Sequence, residues 1–183
     1  MRVFLLGPSK WLPEARPGLP DYLVEWLPAD WKRQGADILW PLDIRRGLAH
    51  ELEKEGAMAT MMELWSRRPT EDRHDLFRRI LVEFGTEHVF AYWPRDANLS
   101  GLYIELGVLG EKVKNREVQG TSLRIFPELG AAFFDPDQDR VIFRESGART
   151  TYSLDWEGWG VRISLWSDYR TLRQMMVSRL RTG

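Results

Sequence analysis

His88-Val89-Phe90-Ala91-Tyr92-Trp93, followed by Pro94 to Ala97 and then Asn98-Leu99-Ser100-Gly101-Leu102-Tyr103-Ile104-Glu105-Leu106-Gly107, decides the fold. It reads as a strand, a short polar loop and the start of a helix. The apolar aromatic run suits a buried strand, and Leu102, Leu106, Leu109 and Val113 recur at helical spacing. Strand, Gly-containing loop and helix in that order form the unit of a doubly wound α/β sheet. Gly101 lets the backbone turn tightly and approach a ligand. The N–H groups and dipole of a helix start favour an ionised carboxylate or a bound anion, which makes Glu105 a candidate nucleophile. The competing reading is a carboxylate that only supports its helix. A capping box would need Ser or Thr three residues earlier, where this chain has Leu102.

Upstream, Arg2 to Leu6 predicts a buried first strand ended by the Gly7-Pro8 turn. A long loop follows through Ser9, Lys10, Trp11 and the prolines at 13, 17 and 20. Trp11 either stacks on a planar ligand or covers the core. A helix is expected from Tyr22 to Gln34 and a second strand from Ala36 to Trp40, with Leu42 to Gly47 as the loop at its carboxyl end. Ligands collect at such ends, so Asp43 and Arg46 are site candidates, the alternative being solvated surface charge. Leu48 to Arg67 predicts one helix. Thr70, Glu71 and Asp72 start another that buries Leu76, Phe77, Ile80, Leu81 and Phe84 and ends at Gly85. Thr86 to Trp93 is the third strand. Right-handed crossovers gather the loops after alternating strands on one edge, so Pro8 to Trp11, Asp43 and Glu105 are expected near one another.

Downstream, Ser122 to Phe126 predicts a fourth strand, and Ala131 to Phe134 with Val141 to Arg144 a hairpin around the acidic turn 135–140. That turn lacks the Gly and distal Glu of an EF-hand. Val161 to Trp166 reads as a last strand, and Asp168 caps a final helix whose arginines at 170, 173, 179 and 181 form a solvated face.

The 183 residues suit a single α/β domain, 1–183, with 114–160 as an insertion or lid. A net charge of −1 and the absence of long basic runs argue against a nucleic-acid partner. No cysteine is present, which removes disulfides, thiolate metal sites and cysteine nucleophiles. No apolar run reaches membrane-spanning length and no signal-peptide pattern opens the chain, so a cytoplasmic protein without a membrane partner is expected. GxGxxG, Walker A, GxSxG and HExxH are all missing, and His50, His74 and His88 lack metal-ligand spacing, so no metal is expected. Carboxylate chemistry on an α/β scaffold remains.

VFLLGP at the first strand, WKRQGADILWP before and through the second, HDLFRRI before the third and SGLYIELG after it resemble the nucleoside 2-deoxyribosyltransferase-like family and its N-glycoside hydrolase relatives. The resemblance spans about residues 2 to 113 in the family's motif order. It implies a flavodoxin-like (Rossmann-like) parallel sheet of about five strands, to which the C-terminal third would add a less regular β-containing insertion. It implies that Glu105 attacks C1′ of a nucleoside or nucleotide, that Asp75 contacts sugar and base, and that Asp96 or Asn98 helps to hold the substrate. Gly7, Pro8, Trp11, Asp43, Ser100 and Gly101 complete the expected substrate-binding set, Ser100 serving equally well as a helix cap. No cofactor is expected, the partner is a small-molecule nucleoside or nucleotide, and a homo-oligomer fits the family's habit of completing sites between subunits. Phe4 stands where many relatives have Tyr, and Leu99 where the transferases have Asp. These departures argue against deoxyribosyl transfer more than against hydrolysis. The alternatives are an NAD glycohydrolase and a non-catalytic nucleotide-sensing or partner-binding domain.

Overall fold

A computed structural model describes residues 1–11, 40–65, 72–115, 120–136, 140–143 and 161–181. Among the described residues, strand β1 (Arg2–Leu6) is followed by helix α1 (Pro41–Lys54), strand β2 (Met58–Met61) and the short helix α2 (Met62–Trp65). Helix α3 (Arg73–Val82), strand β3 (His88–Trp93), helix α4 (Ser100–Lys114) and strand β4 (Ser122–Pro127) come next. Strands β5 (Ala132–Asp135) and β6 (Arg140–Phe143) form an antiparallel hairpin, and strand β7 (Arg162–Ile163) and helix α5 (Tyr169–Arg181) close the order.

One sheet of five parallel strands runs in the order β2-β1-β3-β4-β7. This is the doubly wound flavodoxin-like arrangement, in which the chain leaves β1 outward to β2 and then returns to the other side of β1 to lay down β3. Side chains alternate between the two faces. Val3, Leu5, Phe90, Tyr92 and Phe126 pack with Ile44 and Leu48 of α1 and Leu172 and Met176 of α5. Phe4, Leu6, Val89, Ala91 and Trp93 pack with Leu76, Phe77 and Ile80 of α3 and Leu102, Leu106 and Leu109 of α4. Both faces of the central strands are thus covered, which is why they read as continuous apolar runs. Phe4 meets Phe77 edge to face at 5.5 Å, and Leu99 is a core residue.

The region before β3 departs from the sequence reading. The second strand of the sheet is Met58–Met61, in parallel register with β1 from Arg2↔Met58 to Leu5↔Met61. The helix expected over 48–67 therefore breaks, because Gly56 takes a left-handed φ of +85° and stops α1. Met-Ala-Thr-Met fits either period in so short a run, and pairing against β1 decides it. Of the strand expected at Ala36 to Trp40, residues 36–39 lie outside the described residues, as does the expected helix from Tyr22 to Gln34. Trp40 is the N-cap of α1 and Pro41 its first residue, a position that needs no N–H. Asp43 accordingly sits in the first turn of a helix, where it accepts a hydrogen bond from the Trp40 N–H at 3.2 Å. Asp72 caps α3 by accepting from His74 N–H at 2.8 Å, and Asp168 caps α5 by accepting from Thr171 N–H at 2.9 Å. Among the described residues no helix is long and apolar enough to cross a membrane.

Candidate active site

A cavity of about 370 Å³ opens at the carboxyl ends of β1, β2 and β3, where the strand order reverses. Open α/β sheets bind their ligands at that crevice. Its walls come from three connections: Gly7 to Lys10 after β1, Met62 and Glu63 after β2, and Asn98, Ser100, Gly101, Leu102 and Glu105 after β3. Arg73 and Leu76 at the start of α3 complete it.

The loops after β1 and β3 are tied by backbone. Trp11 forms a bridge with Ala97, and Asn98 N–H donates to the Lys10 carbonyl at 2.9 Å. The Asn98 side chain then starts α4, its Oδ1 accepting from Ser100 N–H at 3.2 Å and from Ser100 Oγ at 2.7 Å. At the far wall, Gly7 is packed so closely that a Cβ would lie 3.0 Å from the Tyr92 carbonyl oxygen and 3.2 Å from its ring. Gly7→Ala must push β1 and β3 apart at this point, so we expect a loss of roughly 1–3 kcal/mol, checked by urea denaturation; an unchanged midpoint would show that the loop relaxes freely.

Two carboxylates and two guanidiniums organise the floor. Arg45 is 1% exposed and donates from Nη1 to the Gly7 carbonyl at 2.7 Å and from Nη2 to Glu63 Oε1. Ser9 Oγ donates to the same carboxylate at 3.5 Å. This buried fork, supplied by α1, ties the β1 loop to the end of β2. Glu105 lies beside it, 8% exposed, with Oε1 at 3.7 Å from Arg73 Nη1 and Oε2 buried without a hydrogen-bond partner. Burial pushes its carboxyl up to about 7, Arg45 pulling it down, Glu63 adding to the rise and Arg73 opposing it.

Glu105 is the sixth residue of α4 and so occupies its second turn. The expectation that the helix start would hold it ionised is corrected, because the dipole effect fades beyond the first turn and desolvation dominates. A carboxyl poised near neutrality can act in either protonation state.

Gly7, Pro8, Asn98, Ser100, Gly101 and Glu105 come together in the cavity. Five other expected residues, Arg46 among them, do not line it. Asp43 is engaged with Trp40 and, at 3.3 Å, with Arg46. Asp75 is exposed on α3. Asp96 is exposed in a turn at φ 61° and faces Arg95 at 3.4 Å. Trp11 is half-buried and packs against the core on both sides of the sheet. The helical phase of α3 turns Arg73 and Leu76 toward the cavity and leaves Asp75 outside. Arg45, Glu63, Arg73 and Lys10 were the missed members. Lys54-Glu55-Gly56 carries a helix-stop signal that would have shortened the predicted helix and exposed Glu63 as a residue at a strand end.

The fold and this crevice define a doubly wound α/β protein with a carboxylate site at its switch point. Compared with known proteins, the chain matches no family profile, no curated sequence and no solved structure.

Proposed function

We propose that the protein cleaves the N-glycosidic bond of a nucleoside or nucleotide, with Glu105 as the nucleophile. The observation that supports this most is the buried, unpartnered Oε2 of Glu105 on the wall of a switch-point cavity. Arg73 faces only the other oxygen, at 3.7 Å, so Oε2 has no structural partner to satisfy it, and an electrophilic sugar carbon would be one. Glu105 attacks C1′, the electron pair of the C1′–N bond leaves with the base, and the base takes up a proton from solvent, which the water of the second step returns. Water then attacks C1′ of the glycosyl ester, freeing the sugar and restoring the carboxylate. Positive charge developing on the sugar ring favours the ionised form of Glu105 as the bond breaks. Lys10, Arg73 and the Ser100 hydroxyl suit sugar oxygens or a phosphate at the mouth.

The test is a panel of nucleosides, nucleoside monophosphates and NAD, with free base assayed by chromatography and Glu105→Gln run in parallel. Base release that depends on Glu105 is expected, and addition of a second free base separates transfer from hydrolysis. Ligand binding without turnover of any substrate would replace the enzyme by a nucleotide sensor. Asp75 gives a second, independent check. Because it is exposed and outside the cavity, Asp75→Asn is expected to change the rate less than about twofold and stability by less than about 0.5 kcal/mol; a large loss of rate would return Asp75 to the site.

A further inference from the structure

At the opposite edge of the sheet from the cavity, three arginines meet. Arg124 and Arg162 are direct register partners on β4 and β7, so their side chains leave the same face from strands roughly 4.8 Å apart. Leu123, Ile125 and Ile163 belong to the face covered by α3 and α4, while Phe126 belongs to the other. Strand alternation therefore sends Arg124 and Arg162 to the α5 side. Arg179, in the last turn of α5, lies near enough to act on Arg124. The Nε atoms of Arg124 and Arg179 are both buried without a hydrogen-bond partner. None of the three guanidiniums is ion-paired among the described residues.

The surrounding electrostatics agree. Burial, then Arg179 and Arg162, hold Arg124 below the ordinary arginine range. His88, two residues before Phe90 on the same face of β3, is held below its usual range first by burial, with Glu87 opposing and Arg124 adding to the effect. Glu87, the adjacent acid, is occupied by Arg2 N–H at 2.7 Å and by the terminal amine at 3.7 Å. Two other arginines of the same helix are neutralised, Arg173 by Glu51 and Arg181 by Glu55. Like charges gathered with orphaned buried donors lack the acceptors that buried polar groups normally find.

We propose that Arg124, Arg162 and Arg179 form a binding site for a multivalent phosphate anion, separate from the switch-point cavity. Three guanidiniums match several negative charges, and their planar forks bond phosphate oxygens in pairs. A singly charged ion would leave most of the repulsion in place. The shared chemistry is a phosphate chain, supplied either as inorganic polyphosphate or by a nucleotide.

The test uses the full chain with inorganic tripolyphosphate as probe, against sodium chloride of equal ionic strength, read by thermal melting and by titration calorimetry. Tripolyphosphate is expected to raise the melting temperature of the unaltered protein. Arg162→Gln and Arg179→Gln should each weaken its binding at least about tenfold, while Arg78→Gln, at an exposed α3 arginine outside both the cavity and the cluster, should leave it unchanged. For the binding that Arg162→Gln weakens, ATP tighter than tripolyphosphate identifies a nucleotide as the source, and equal affinity identifies the phosphate chain alone. Without anion, the two variants should melt no lower than the parent, since each relieves a repulsion. Absence of stabilisation, retention of full affinity in both variants, loss of affinity in Arg78→Gln, or a lower melting temperature of the anion-free variants would each overturn the proposal.

Discussion

Glu105→Gln is expected to abolish the proposed base release and, above neutral pH, to yield a more stable protein than the parent. The first effect follows from the proposed role: an amide is isosteric with the acid but cannot form the glycosyl ester, so the rate falls on the order of 10³-fold or more. The second follows from burial. Folded Glu105 titrates near 7, whereas in the unfolded chain it returns to the ordinary value near 4.5. Between those values the folded protein holds a proton that the unfolded chain has lost, so stability declines as pH rises through this window. It is fully present below about 4.5 and lost once pH passes about 7, the difference being on the order of 3 kcal/mol.

Glutamine carries no such charge. The variant should melt with the parent at pH 4.5 and above it at pH 8, at roughly 2–4 °C per kcal/mol for a domain of this size. Melting curves across pH read the effect without any substrate, so the electrostatic account of the site can fail separately from the catalytic one. If the two proteins melt together at pH 8, Glu105 is not desolvated. If they part at pH 8 while base release persists, the nucleophile lies elsewhere.

Arg45→Met is expected to be the most destabilising change at the site that leaves the reacting carboxylate in place. Methionine fills much of the same volume, but the Gly7 carbonyl loses its donor and Glu63 loses its ionic partner. Glu63 is 35% exposed at its side chain, so water relieves part of that loss. A cost on the order of 3 kcal/mol follows from an orphaned buried acceptor together with a broken, half-buried pair. Arg45 also pulls the Glu105 carboxyl downward, so its removal should move Glu105 further above 7 and shift the lower pH limb of base release to higher pH. Chemical denaturation measures the first effect and a pH-rate profile of residual activity the second. Unaltered stability would mean that the β1 loop holds its shape without the guanidinium. An unmoved limb would mean that Arg45 does not act on Glu105.

Much of the framework was legible in the chain. The first strand was read at Arg2 to Leu6 with the bounds it has in the structure, and β3, β4, the hairpin and α5 lie where period and turn residues put them. Each of these runs has one dominant period and a clear stop. The segment from Trp40 to Trp65 lacks both properties, and the reading failed there. Its apolar methionines suit strand and helix alike, and only pairing with β1 made Met58 to Met61 an edge strand. With Met58 to Met61 beside β1 and Asp43 inside α1, Glu63 rather than Asp43 stands at the strand ends of the cavity.

The site divides in the same way. Local pattern identified Gly7, Pro8, Asn98, Ser100, Gly101 and Glu105, because each belongs to a loop, or to the helix opening from it, whose place after a strand is visible in sequence. Arg45 and Arg73 come from helices, where rotation about the axis decides which side chain faces inward, and Asp75 was chosen over Arg73 by motif rather than by phase. Asp96 shares the β3 loop with Asn98, yet its turn conformation carries it away from the cavity.

By itself, the sequence determined that this is a doubly wound α/β protein with a carboxylate after its third strand, since alternation of strand and helix periods and the punctuation between them are local properties. Tertiary structure alone decided which strand flanks β1, which charges meet at the switch point and that Glu105 titrates near neutrality. Those outcomes depend on burial and on groups brought together from distant parts of the chain, and neither is written in any one stretch of residues.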